Sequence, residues 1–169
     1  MAKIVYDGWM QMQQFKYGDR DYEKVVSMDG TGAIVTNKEG KILLVRQYRP
    51  CVGMESLEIV AGCIDKAGED GLQIIKEELE EEAHIKPENI VSMDELYTYY
   101  MMIGSSDAKI TLYDVVVNVD AVDEIITDDD DVTGRIWVTL DEMKVLIDEG
   151  KIADGKTIIA YQHLKMKNK

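Results

Sequence analysis

The apolar positions change period several times along the chain, and each change marks an element. Ala33 to Thr36 is apolar and β-branched, Asn37-Lys38-Glu39-Gly40 is turn-forming, and Lys41 to Tyr48 resumes the apolar run, so the segment predicts a β-hairpin. Tyr22 to Met28 predicts a strand before it, closed by a turn at Asp29-Gly30. Leu57 to Val60 predicts a short buried strand ended by Ala61-Gly62. Leu72, Ile75, Leu79 and Ala83 then recur at helical spacing between Gly71 and Lys86-Pro87. Leu96 to Met102 is aromatic-rich and Ile110 to Val119 strongly β-forming, with a Gly104-Ser105-Ser106-Asp107 turn between them. Arg135 to Val138 predicts a further strand, and Leu140 to Asp148 and Thr157 to Met166 two more helices. Met1 to Phe15 follows neither period. Strands mixed with a few helices, without repeats or a linker, predict one α+β domain over residues 1–169.

Charge narrows the partners. The 33 acidic against 19 basic residues give a net charge of −14, which disfavours nucleic-acid backbones and anionic membranes. A chain this negative that handles phosphates needs a divalent cation between itself and its ligand. Two cysteines, Cys51 and Cys63, make no disulfide framework, and the first ten residues have no signal-peptide pattern. No stretch is long and apolar enough to span a membrane. These features together point to a cytoplasmic chain. His84 and His163 are isolated and read as structural or surface residues, and the cysteines as small apolar fillers.

The helix after Gly71 carries the candidate chemistry. Glu77, Glu78, Glu80, Glu81 and Glu82 lie on it, and at about 100° per residue Glu78, Glu81 and Glu82 share one face. Leu72, Ile75 and Leu79 occupy a neighbouring face that can sit on a sheet. Like charges one turn apart destabilise a helix. A hard divalent ion relieves that repulsion through carboxylate oxygens. On composition alone a solvated Glu-rich face is the favoured account of the run.

The stretch resembles the Nudix box. Gly62 stands for its first glycine, Glu69 for its first glutamate, and Glu78, Leu79, Glu81, Glu82 and Ile85 for the remainder. Three departures stand out. Six residues separate Gly62 from Glu69 where the pattern has five, Glu77 replaces the usual Arg, and His84 replaces the usual Gly. Outside the box, Leu44-Val45-Arg46-Gln47-Tyr48-Arg49-Pro50, Leu57-Glu58-Ile59-Val60-Ala61-Gly62, the Gly104–Asp107 turn and Gly150–Thr157 resemble the flanking segments of ADP-ribose pyrophosphatases and related nucleotide-sugar hydrolases.

That resemblance implies a Nudix fold, an α/β/α sandwich around a mixed sheet, and a homodimer whose segment 1–28 supplies dimer contacts or a substrate platform. It implies Mg²⁺- or Mn²⁺-dependent hydrolysis of the diphosphate in ADP-ribose or a related nucleoside diphosphate sugar, giving a nucleoside monophosphate and a sugar phosphate. Glu78, Glu81, Glu82 and the carbonyl of Ala61 correspond to metal ligands. Arg49, Glu58 and Gly104 correspond to substrate-binding positions. The catalytic base is expected in the loop Asp128–Asp131, with Asp131 the candidate, unless that run is simply an acidic loop. Glu77 in place of Arg leaves a rival expectation, a degenerate Nudix module that binds such a ligand with little hydrolysis.

Overall fold

The computed structural model describes residues 2–65, 68, 70–122, 125–126 and 132–167. Strands β1 (Lys3–Asp7), β2 (Gln11–Tyr17) and β3 (Arg20–Val26) form a small antiparallel sheet of their own. The main sheet contains β4 (Asp29–Asn37), β5 (Ile42–Arg49), β6 (Met54–Glu58), β7 (Val60–Ile64), β8 (Ile90–Tyr100), β9 (Lys109–Val117), β10 (Ile125–Ile126) and β11 (Val132–Val138). Its principal order is β10-β11-β5-β4-β9-β8, with β6 added to β5 and β7 to β4. The β4–β9 pair is parallel and the others are antiparallel, so the sheet is mixed. Helix α1 (Gly71–Glu81) covers one face, and α2 (Leu140–Asp148) with α3 (Gly155–Lys167) covers the other.

Two-sided burial explains the unbroken apolar runs in the central strands. Successive residues alternate between two cores. Val35, Leu43, Val45 and Val115 pack with Ile75 and Leu79 of α1, while Ile34, Leu44 and Leu112 pack with Met143 of α2 and Ala160 and Leu164 of α3. This gives the α/β/α layering and confirms the α+β class. Among the described residues, no helix is long and apolar enough to cross a membrane.

Several boundaries differ from the sequence-based expectation. Asp29-Gly30 is the start of β4 and not a turn, because its backbone is taken up by β7 and β9. The β4–β5 hairpin is paired only at its tip, Thr36 with Ile42, where Asn37 Oδ1 accepts from the backbone N–H groups of Glu39 and Lys41. Beyond the tip the strands diverge, β4 toward β7 and β9, β5 toward β6 and β11. The single strand expected at Leu57–Val60 is two strands, β6 and β7, that change partner at Ile59. The ambiguous N-terminus forms two strands and the next strand ends at Val26 instead of Met28. Helix α1 stops at Glu81, and the chain turns at His84, whose φ of 55° is the left-handed conformation normally given to glycine. The α2 span is as expected, and a capping box between Thr139 and Glu142 starts it.

Leu79 is fully buried between α1 and the sheet. Leu79→Ala is expected to lower unfolding stability by about 2–5 kcal/mol in denaturant titration, by loss of burial and creation of a cavity.

Candidate active site

The partner change at Ile59 creates the site. β6 ends with Glu58 and β7 begins with Val60, so the chain crosses from the β5 side to the β4 side at the mouth of the gap between them. The free backbone at this crossing is satisfied from the α3 region. Leu57 N–H donates to the Lys151 carbonyl at 3.0 Å, and Ile59 N–H donates to Thr157 Oγ1 at 3.0 Å. Thr157 is wholly buried and is itself fixed by Asp154, whose Oδ2 accepts from its N–H at 2.9 Å and its hydroxyl at 2.6 Å.

Helix α1 brings its carboxylates over β7. Asp70 caps its start by accepting from Leu72 N–H. One turn apart, Glu78 and Glu82 both lean toward the Ala61–Gly62 backbone. Glu82 Oε2 accepts from Ala61 N–H at 3.4 Å and Oε1 accepts from Gln47 Nε2 at 3.2 Å. A β-carbon at Gly62 would lie 2.2 Å from Glu78 Oε1, so only glycine lets this carboxylate pass so close to the strand. Burial and the charges of Glu81 and Glu77 push the Glu78 carboxyl up to about 7. Burial and the charge of Glu78 push Glu82 up to about 8, against the opposing pull of Ala61 N–H, Lys156 and Arg49. The repulsion introduced by Glu77, where the family pattern has Arg, therefore falls on Glu78. Gln73 Nε2 donates to Glu77 Oε1 at 2.6 Å and holds it on the outer side.

Beside this pair lies an ion cluster. Glu58 is only 2% exposed. Arg49 Nε and Nη2 donate to its two oxygens at 2.8 and 2.5 Å, and Lys156 Nζ also donates to Oε2. Burial alone would raise the Glu58 carboxyl, yet the two cations hold it at about 2. Lys156 also pairs with Asp154 at 3.1 Å.

The structure therefore brings together Ala61, Glu78, Glu82, Arg49 and Glu58. Glu81 is exposed and reaches the pair only through its charge on Glu78. Gly104 lines a different cleft, about 230 Å³, with Phe15, Tyr22 and Lys24. There the small sheet docks through Val25 N–H to the Ser105 carbonyl and through the Lys24–Asp107 ion pair. Asp131 and Glu69 lie outside the described residues. The chain neighbour of Asp131, Val132, is paired with Gln47, which itself touches Glu82. Gln47, Asp154, Lys156 and Thr157 had no role assigned from sequence. Gln47 and Arg49 share a strand face at period two, and Lys156 and Thr157 lie in the Gly150–Thr157 segment, but their contacts with β6 are long-range.

Among the described residues, no group of three or more His, Cys, Asp or Glu side chains forms a complete metal ligand set. Glu78 and Glu82 still fit a hard divalent ion. They offer only oxygen donors, their negative charges are crowded, and Gly62 keeps open the space beside Glu78. Mg²⁺ typically takes one or two carboxylates and completes its shell with water and substrate phosphates, so a two-carboxylate arrangement suffices.

Comparison with known proteins agrees with this geometry. The NUDIX domain family matches residues 26–161. The chain is 33% identical over 150 residues to a methanol dehydrogenase activator of Bacillus methanolicus, covering 88% of this chain and 79% of the relative. It is 26% identical over 165 residues to an ADP-ribose pyrophosphatase of Bacillus subtilis (strain 168), covering 96% and 86%. A crystal structure of an ADP compounds hydrolase shares the fold with a TM-score of 0.74 at 15% identity, covering 99% of this chain and 90% of that one. With the family matched over most of its length and the acidic helix seated on the Gly62 strand, the chain belongs to the Nudix hydrolase family.

Proposed function

We propose that this chain hydrolyses the diphosphate linkage of ADP-ribose or a closely related nucleoside diphosphate sugar, with Mg²⁺ or Mn²⁺ as cofactor, releasing a nucleoside monophosphate and a sugar phosphate. The observation that carries this reading is the pair Glu78 and Glu82, crowded against Ala61 and Gly62, beside the half-exposed Arg49 guanidinium that Glu58 holds in orientation. The name of one relative, the ADP-ribose pyrophosphatase of Bacillus subtilis (strain 168), supports the substrate class.

Glu78, Glu82 and the Ala61 carbonyl would hold the cation, with Glu81 supplying further negative charge at the rim. When bound, the ion screens the diphosphate, polarises a phosphoryl oxygen and lowers the pKa of a water. Arg49 has Nε and Nη2 committed to Glu58, and its side chain is 44% exposed, so the guanidinium is fixed in orientation yet open to a phosphate oxygen. Glu58 keeps this cation in place, and Lys156 balances the second charge that Glu58 and Asp154 bring. Asp131, the residue before Val132 in the chain, is the proposed acceptor of the water's proton.

A second copy of the chain is the proposed partner for the small N-terminal sheet. Its exposed residues include Trp9 at 82% and Tyr17 at 76%, together with Tyr6 and Val5. Aromatic side chains of this size are rarely left in water except at interfaces. The expected state is a homodimer by sedimentation, and Trp9→Glu with Tyr17→Glu is expected to shift it toward monomer.

Turnover is measured as phosphate release in a phosphatase-coupled assay, with and without Mg²⁺ or Mn²⁺. ADP-ribose should be cleaved only with metal, and Glu82→Gln should lower activity by at least roughly 10- to 100-fold, the scale of losses from disturbing even an outer-shell metal contact. ADP-ribose binding without cleavage would favour the degenerate binding module.

Proton linkage supplies an independent check. Glu78 and Glu82 start from 4.5 and are raised in the fold to about 7 and 8, so the folded chain keeps protons that the unfolded chain has released. Their stabilising contribution is complete below about pH 4.5 and is lost as pH rises through 7 to 8. The metal-free melting temperature should therefore fall across that window. Mg²⁺ displaces the same protons, so the rise in melting temperature it causes should grow with pH. In Glu78→Gln/Glu82→Gln, both effects should disappear from thermal melts.

A further inference from the structure

We infer that Gln47 is a positioning residue of this site. Its neutral amide fixes the orientation of the Glu82 carboxylate and leaves the negative charge of that carboxylate for the divalent ion. The inference rests on the hydrolase reading above, which places the ion at Glu78 and Glu82.

Strand β5 sets the position. Val45, Gln47 and Arg49 follow one another at period two, so they lie on one face, about 7 Å apart along the strand. Val45 is 1% exposed and packs in the core beneath α1, which turns that face toward the acidic helix. Gln47 is half-buried and is paired on both sides, with Val132 of β11 and with Ser56 of β6. A side chain placed by a strand with neighbours on each flank is aimed more closely than one on a loop. From there Nε2 donates to Glu82 Oε1 at 3.2 Å. Ala61 N–H donates to the other oxygen, Oε2, at 3.4 Å. Each oxygen thus has one donor, and turning the carboxylate about its terminal bond costs both contacts. An ionised carboxylate has about four lone-pair sites, so two donors leave room for a metal ion.

The next residue on the same face of β5 supplies the contrast that carries the argument. Arg49 holds Glu58 through two nitrogens and Lys156 joins it, so that carboxylate is fixed by cations. Glu82 is fixed by two uncharged donors instead, an amide and a backbone N–H. A lysine or arginine at position 47 would pair with Glu82 and compete with the metal ion for the same oxygens. An amide orients those oxygens and cancels none of their charge. Helix α1 has Glu77 where the family pattern has Arg, and Gln73 holds Glu77 on the outer side. Orientation of Glu82 therefore comes from the sheet. Hydrogen-bond partners of metal-binding carboxylates commonly set metal affinity in this way.

The test is Mn²⁺ binding by isothermal titration calorimetry in wild-type protein, Gln47→Met and Gln47→Lys. Methionine has nearly the length of glutamine and no donor, so Gln47→Met should weaken Mn²⁺ binding about tenfold. Gln47→Lys keeps a donor, adds a charge, and should weaken binding further. The Mn²⁺ concentration giving half-maximal cleavage of ADP-ribose should shift by the same factors. The metal-free melting temperature of Gln47→Met should fall by no more than about 4 °C, the scale of one hydrogen bond, which separates lost affinity from lost fold. Wild-type affinity in Gln47→Met would overturn the inference, and so would wild-type affinity in Gln47→Lys. If Gln47→Met does not fold, Gln47→Asn replaces it, with its amide one methylene short of Glu82, and wild-type affinity there is equally fatal. Mn²⁺ binding by the wild type without cleavage of ADP-ribose would end the hydrolase reading alone, and the affinity comparison would still decide Gln47. No Mn²⁺ binding by the wild type would overturn both.

Discussion

Two carboxylates one helical turn apart, Glu78 and Glu82, are held against the Ala61–Gly62 backbone at a burial that disfavours charge on either. Water would solvate them separately and the helix would be more stable without the pair. The fold holds them there because α1 is anchored by a different set of residues. Ile75 and Leu79 are fully buried on the sheet, and their spacing leaves Glu78 and Glu82 no freedom to turn outward together. The hydrophobic stripe thus stabilises the helix enough to offset the repulsion at its edge. In the proposed function this unfavourable pair is where a divalent ion would bind, and the ion would relieve the repulsion.

The opposite face of the site rests on α3. Thr157 accepts the Ile59 N–H, Lys156 reaches Glu58, and Asp154 holds both residues. These contacts stabilise the crossing at Ile59, where the chain leaves β5 and joins β4. Without that crossing Arg49 and Gly62 would belong to separate regions of the sheet. The two cores therefore meet at the site. The α1 core orients the acidic groups, and the α2–α3 core orients the cationic groups and the strand break. Damage to packing on either side is transmitted to the chemistry through a few fixed contacts rather than through the sheet as a whole.

Charge is distributed accordingly. The chain carries a large negative excess, yet Arg49 and Lys156 are gathered at one carboxylate, where their positions are set by geometry and not by averaging over the surface. The small N-terminal sheet stands apart from this arrangement and exposes aromatic groups that the two cores do not cover.

Much of the fold was legible from local pattern. Helix α2 was bounded correctly by its apolar spacing, and the strand after the Gly104–Asp107 turn was located by its β-branched residues, though it runs from Lys109 to Val117 instead of from Ile110 to Val119. The acidic face of α1 followed from the helical period alone, and the family from Gly62, Glu78, Glu81 and Glu82 with their flanking motifs. Asp29-Gly30 misled because turn propensity is local while strand pairing with β7 and β9 is not. The break at Ile59 was hidden because two short strands joined by one residue share a single apolar run. Residue types and their periods by themselves determined the α+β class and the acidic helix face, while the layering and the metal chemistry came with the resemblance to the Nudix family. Tertiary structure alone decided that Gln47 meets Glu82, that Lys156 and Thr157 meet the β6–β7 crossing, and that the Ser56 hydroxyl lacks a hydrogen-bond partner among the described residues. Each is a contact between residues tens of positions apart or the lack of one, and such contacts depend on how strands are ordered in the sheet, which no local period encodes.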